Sequence, residues 1–228
     1  STLASVVACP AIPETRPAAG LGAAGSAEAA FATQIRLLAA HRGFLLVSLI
    51  AFVNAVARTG ALFNIIPILA RDRLALDPAR IGFGLALASV VGLVLAYPAG
   101  VLVDRYGRKI IIVPATILSG LSLLIFLLAP TYAWYLVACA VWSVAMGISG
   151  AAPAAYPADT APGGMNAAAL STYRMLADLG YVVGPIVLGL VADLAGVDAA
   201  LGATAVLLTV VALAFARFAP ETLRASRF

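Results

Sequence analysis

Six long apolar runs, at about 44–70, 81–103, 110–129, 132–156, 168–192 and 198–219, alternate with short polar connections along most of the 228 residues. A bilayer core about 30 Å thick is crossed by roughly 20 predominantly apolar residues in a helix, and each run reaches that length. Barrel strands would alternate apolar and polar residues with a period of two, and these runs show no such alternation. Helices also satisfy their own backbone groups in lipid. The pattern predicts an all-α fold, a polytopic transmembrane helical bundle of six spans, whose even number returns both ends to one side.

Composition agrees with this and sharpens it. The chain is 63% hydrophobic and 11% charged, with a mean hydropathy of +1.06, far from the usage of soluble domains. Its formal charge of +4 does not point to nucleic acid, because the basic residues are scattered over several loops without an aromatic-interleaved patch. They bias the two sides instead. With the 104–109 connection inside, Arg16, Arg36, Arg42, Arg105, Arg108, Lys109, Arg224 and Arg227 share the inner side. Arg71, Arg73 and Arg80 stay outside, diluted by Asp72 and Asp77. Inner loops carry the excess of Lys and Arg, so an integral protein of the plasma (inner) membrane with both ends cytoplasmic is expected. Trp134 and Tyr135 fit an outer aromatic belt, and Trp142 reads as core or lipid-facing. Cys9 and Cys139 lack CxxC or metal-ligand spacing and read as small packing residues. His41, beside Arg42, reads as a solvated interfacial residue. No secretory signal is expected before the first span, because Ser1 to Pro10 lacks a basic start.

The hexapeptide Asp104-Arg105-Tyr106-Gly107-Arg108-Lys109 breaks the apolar pattern most sharply, placing polar and turn-forming residues between two apolar runs. Gly107 permits a tight turn, and the basic residues suit the anionic inner leaflet. Asp104 is placed to pair with Arg108, or to accept hydrogen bonds from the N-terminus of a neighbouring helix, which would latch one conformation shut. The plainer reading is that these charges only set topology. With Gly100 the segment reads G-x-x-x-D-R-x-G-R-K, which resembles the inter-helix signature of the major facilitator superfamily of membrane transporters. That resemblance implies a gating motif carried by Gly100, Asp104, Arg105, Gly107, Arg108 and Lys109.

An internal repeat supports the same resemblance. Pro13-Glu14-Thr15 follows an apolar stretch as Pro220-Glu221-Thr222 follows the last run, similar to stops after the sixth and twelfth helices of that superfamily. The resemblance then implies that residues 1–12 are the tail of a preceding transmembrane helix and residues 13–42 a cytoplasmic linker. Residues 43–219 become the six-helix domain, helices seven to twelve of a twelve-helix transporter, and residues 220–228 a cytoplasmic tail. An N-terminal six-helix half, in the same full-length chain or a separate one, is the implied partner. The start at Ser1 instead of Met agrees with a truncation.

A second motif lies in the fifth run. Gly180 and Gly184 form a G-x-x-x-G face that lets another backbone approach, and Pro185 removes a helical hydrogen bond and invites a kink. With Gly189 the segment is similar to the G-x-x-x-G-P-x-x-G-G pattern of proton-coupled drug exporters. It departs from that pattern at Leu188 and by falling in the eleventh helix instead of the fifth. A plain packing-and-kink face is the other reading. The stripe Gly92, Ala96 and Gly100 reads as helix packing. Gly147 and Gly150 with Pro153 and Pro157 read as a loosened inner end of the fourth span, leading to Asp159 and the turn at Pro162-Gly163-Gly164.

Ionisable residues inside apolar runs are the candidates for chemistry, because a charge at the bilayer centre costs on the order of 3 kcal/mol on insertion scales. Arg58 lies near mid-depth of the first span, and Asn54 precedes it by one turn on the same face. Gly60 and Pro67 favour a bend toward a cavity. Arg58 is expected to hold an anionic substrate group or a carboxylate whose protonation drives transport; the alternative is a buried structural pair or a snorkelling side chain. Arg174 and Asp178, four apart in the fifth span, are expected to pair along one face that Tyr181 continues. A carboxylate moving between apolar and cation-flanked settings changes its proton affinity, making Asp178 a candidate proton carrier, although a structural pair or docking against the 104–109 hairpin reads slightly better.

Nothing resembles a Ser/His/Asp set, a metal cluster or a phosphate-cradling loop. The sequence therefore reads as neither an enzyme nor an ATP-driven pump, and no cofactor or metal is expected. It reads as a secondary transporter working by alternating access, with a small-molecule substrate, protons and the bilayer as partners. Proton-coupled efflux of a hydrophobic or drug-like compound is the leading expectation. Sugar or organic-anion uptake by the same fold, or a non-transporting truncated membrane module, are the alternatives.

Overall fold

The computed structural model describes residues 33–149, 153, 156, 157 and 165–220. All regular structure among them is helical. Six helices are long and apolar enough to cross a membrane: α1 (Arg42–Leu74), α2 (Pro78–Tyr106), α3 (Arg108–Leu128), α4 (Tyr132–Ser149), α5 (Asn166–Ala195) and α6 (Val197–Phe218). A short helical stretch at 33–40 precedes them. The expected tail at 1–12, most of the linker, both Glu-Thr pairs of the repeat, Gly150, Asp159 and the 162–164 turn lie outside the described residues.

The helix ends have local causes. α1 runs past its expected end at residue 70, because Arg71 and Arg73 sit favourably against the C-terminal dipole. It stops at Ala75, a non-glycine residue in the left-handed region with φ 49° whose N–H bonds to Ala70 O. α2 starts at Pro78 behind an Asp77 cap, whose carboxylate accepts from the Arg80 N–H at 2.8 Å. Gly107 (φ 100°, ψ 158°) caps the end of α2 and the start of α3, a backbone that only glycine adopts freely. Gly196 (φ 91°, ψ 159°) does the same between α5 and α6.

α2 packs on α4, α4 on α3, α3 on α6, and α6 on α1 and α5, while α1 also packs on α5. The core lies along these contacts, with Phe126, Tyr135, Tyr156, Leu208 and Phe215 fully enclosed. Only 17% of the apolar windows of α2 and α5 is buried, against 61% in α1. The bundle thus has a deep helix, α1, flanked by two helices with broad open faces.

Several expectations change here. Tyr135 does not stand in an outer belt. It is fully buried, donates to Ile81 O at 3.1 Å and meets Phe126 edge-on, because on α4 it faces inward while Trp134 is 52% exposed. Gly147, the expected start of the loosened inner end of the fourth span, is closely packed: a Cβ there would lie 2.8 Å from Leu95 Cβ and 3.1 Å from Gly92 O. The stripe on α2 packs only at Gly92, near Ser143; a Cβ on Gly100 would meet nothing within 4 Å. At the end opposite the α2–α3 turn, Arg73 is more than a diluted outer charge. It forms a bidentate pair with Asp198 and donates to Leu127 O at 3.3 Å, tying α1, α6 and the end of α3.

Candidate functional site

Local backbone chemistry around Arg58 sets the site. Asn54 donates through Nδ2 to Ile50 O at 3.0 Å, and its buried Oδ1 has no hydrogen-bond partner. From Ala57 to Ile65, α1 widens into π-helix, and the Ile66 N–H reaches back five residues to Ala61 O. Pro67 has no N–H to support an α-helical turn there, and Asn64 donates through its side chain to Thr59 O at 2.6 Å. The expected bend at Gly60 and Pro67 is thus a widened helix, a feature frequent at functional sites. Arg58 stands at its start with an exposed side chain.

α5 crosses α1 at this point with little between the backbones. A Cβ on Gly180 would lie 2.5 Å from Phe52 O, one on Gly184 2.9 Å from Val56 Cα, and one on Gly60 2.7 Å from Gly184 O. Thr59 bridges the helices, donating to Ala55 O at 3.0 Å or to Tyr181 O at 3.2 Å. Gly189, grouped with these glycines by its motif, packs against nothing: a Cβ there would meet no atom within 4 Å.

Two cavities flank the crossing. A polar one of about 260 Å³ is lined by Asn54 and Arg58 from α1, by Tyr173, Arg174, Asp178 and Tyr181 from α5, and by Met146, Ser149 and Pro153. An apolar one of about 320 Å³ is lined by Arg58, Leu62 and Phe63 from α1, Leu85, Ser89 and Leu93 from α2, and Trp142, Ser143 and Met146 from α4. Arg58 and Met146 belong to both, so the two cavities form lobes on either side of one guanidinium. The four intramembrane candidates Asn54, Arg58, Arg174 and Asp178 therefore share one lobe.

Arg174 and Asp178 do not pair as their spacing suggested, and neither pairs with Arg58. An Arg placed four residues before an Asp is the weaker order for a helical pair, since it opposes the helix dipole. Nor does Asp178 dock against the α2–α3 hairpin; it faces the lobe that Arg58 faces. The carboxylate and the guanidinium thus remain available within the lobe.

The hairpin lies apart from this site. Gly107 forms its turn, Arg105 lies 5.9 Å from the Tyr106 ring centroid, and Lys109 donates to Ala219 O at 2.8 Å, capping the C-terminal end of α6. Lys109 is thus tied to the bundle. The side chain of Asp104, on which the latch rests, lies outside the described residues.

Sequence reasoning passed over Met146, Ser89 and Ser143. Ser143 donates to Ala88 O and Ser89 to Leu85 O at 3.0 Å. No charge or motif marks these residues, and only the crossing of α2 with α4 brings them to Arg58. The buried, unpaired Cys139 serves packing on α4.

A family model described as Major Facilitator Superfamily matches residues 47–227. No curated protein matches the chain at the level required of a relative.

Proposed function

Because the chain belongs to the Major Facilitator Superfamily, a family of membrane transporters, we propose that it is the second six-helix half of a secondary carrier that moves an amphiphilic, drug-like molecule by alternating access. The observation that carries this reading is the polar lobe that gathers Asn54, Arg58, Arg174 and Asp178 from two helices. Charges in a bilayer are costly and mark solute or ion pathways when they face a common cavity. Here Arg58 anchors the solute, and Asp178, unpaired and in the same lobe, takes up and releases the coupling proton.

The glycine crossing of α1 on α5 supplies a small-residue surface on which a rocking half keeps its packing. The α2–α3 hairpin, with Gly100, Asp104, Arg105, Gly107 and Arg108, latches the inner side against the partner half, and both chain ends are cytoplasmic. Export is the direction that the Gly180, Gly184 and Pro185 pattern favours. The membrane is the plasma (inner) membrane.

The test is proton-gradient-driven movement of lipophilic acids, amines and neutral compounds in vesicles bearing the native full-length protein. Wild type is expected to move one class in response to the gradient, and Asp178→Asn to lose the gradient dependence by about tenfold or more while still exchanging solute. Movement indifferent to the gradient in wild type removes proton coupling, and absence of movement for every class favours a non-transporting module.

A further inference from the structure

Resting on that transport reading, we infer that the solute is an amphipathic anion. Its negative head is held by Arg58 and Arg174, and its apolar body lies in the lobe between α1, α2 and α4, toward Trp142. Three observations carry this.

The first is the balance of charge. Among the described residues lining the two lobes, Arg58 and Arg174 face a single carboxylate, Asp178, and none of the three is ion-paired. A cationic solute would bring its charge against two guanidinium groups. An anionic one meets forks of N–H donors whose geometry matches a carboxylate, sulfonate or phosphonate.

The second is the division of polarity about Arg58. The lobe beyond it is walled by Leu62, Phe63, Leu85, Leu93, Trp142 and Met146. Its two hydroxyls donate to their own or a neighbouring helix, Ser89 to Leu85 O and Ser143 to Ala88 O. That wall is built mainly of aliphatic and aromatic side chains, which suits an apolar body better than a sugar. A sugar needs donors and acceptors along its length, and among the described side chains of this lobe only Arg58, Ser89, Ser143 and the Trp142 indole N–H carry any.

The third is position. Among the described residues, Arg58 is the only charged one shared by the lobes, so a solute bound to it has its head toward α5 and its tail toward α4. One turn away, Asn54 Oδ1 is a buried acceptor without a partner, and Asn54 lines the same lobe.

The experiment uses the native full-length protein in phosphatidylcholine nanodiscs and three matched probes: a dansyl-tagged medium-chain carboxylic acid, its primary amide and the matching primary amine. Saturable binding is read by fluorescence, and transport of the same probes is read in vesicles. The acid is expected to bind at least about tenfold more tightly than the amide, and the amine least, as one charge-assisted contact implies. Arg58→Gln should weaken the acid more than the amide and so cut the preference for acid over amide, Arg174 keeping the remainder, and Arg58→Lys should restore part of it. Trp142→Ala should weaken acid and amide alike, a change that a purely electrostatic site would not show.

Equal binding of the three probes, tighter binding of the amine, or absence of saturable acid binding overturns the inference. So does an acid preference untouched by Arg58→Gln. If the acid is bound selectively but none of the probes is carried across vesicles, the transport reading fails and the anion site stands. If carriage occurs without charge preference, the anion site fails and the transport reading stands.

Discussion

The crossing of α1 with α5 and the crossing of α2 with α4 flank the same arginine but are built to different tolerances. In the first, Cβ atoms on Gly180, Gly184 and Gly60 would all fall within 3.0 Å of backbone atoms of the other helix. In the second, Gly92 leaves 3.4 Å to Ser143 Oγ, and a Cβ on Gly84 would strike the ring of Tyr135 at 2.4 Å. One crossing is backbone against backbone; the other is mainly backbone against side chains, apart from the approach of Gly147 to the Gly92 backbone. The tighter one borders the polar lobe, where the candidate charges must be held in fixed relation. The looser one walls the apolar lobe, where side-chain adjustment lets bodies of different shape be accommodated.

The difference is sharpest at Gly180. Substitution by alanine in an exposed helix gains roughly 0.5–1 kcal/mol from reduced chain entropy. A Cβ 2.5 Å from Phe52 O cannot be relieved by rotating a side chain, so the helices must separate, and overpacking of this kind costs about 1–3 kcal/mol. The clash wins. Gly180→Ala is expected to lower the thermal unfolding midpoint in detergent and to reduce proton-driven transport. An unchanged midpoint would show that α1 and α5 are less tightly apposed than the backbone distances imply.

Gly147→Ala is expected to give a smaller loss of about 1 kcal/mol. Its Cβ would sit 2.8 Å from Leu95 Cβ and 3.1 Å from Gly92 O, and α2, with its broad open face, can shift by a few tenths of an ångström. The same unfolding measurement checks it. A loss equal to that of Gly180→Ala would erase the distinction between the crossings.

How much of this was legible in the chain follows from the range over which each signal acts. Hydropathy runs located all six spans, because crossing a bilayer is a property of some twenty consecutive residues. The Gly180 and Gly184 pair was readable as a close-packing face for the same local reason. The ends were less readable: Ala75 terminates α1 in a left-handed conformation with no glycine to announce it. The π-helix from Ala57 to Ile65 leaves no trace in a hydropathy window, since a wider turn uses the same residues. Arg58 and Asp178 could be chosen as misplaced charges, but their meeting in one lobe depends on contacts between residues some 120 positions apart. The expected pairing of Arg174 with Asp178 rested on helix spacing without regard to the order of the two charges, which opposes the helix dipole. Serines 89 and 143 were invisible because a hydroxyl in an apolar run carries no signal until its crossing partner is known.

Gly92→Ala gives the smallest expected effect and completes the comparison. The new methyl group would meet Ser143 Oγ at 3.4 Å and Ser143 O at 3.7 Å, which is ordinary contact, and the entropy gain of roughly 0.5–1 kcal/mol is then nearly unopposed. The unfolding midpoint should therefore hold or rise slightly. Because Gly92 also lines the apolar lobe, the methyl group takes volume from the solute's body, so affinity for bulky solutes should fall while proton coupling through Asp178 is kept. A fall in stability as large as that of Gly180→Ala would mean that the α2–α4 crossing is also set by backbone contact, and that the apolar lobe is as rigid as the polar one.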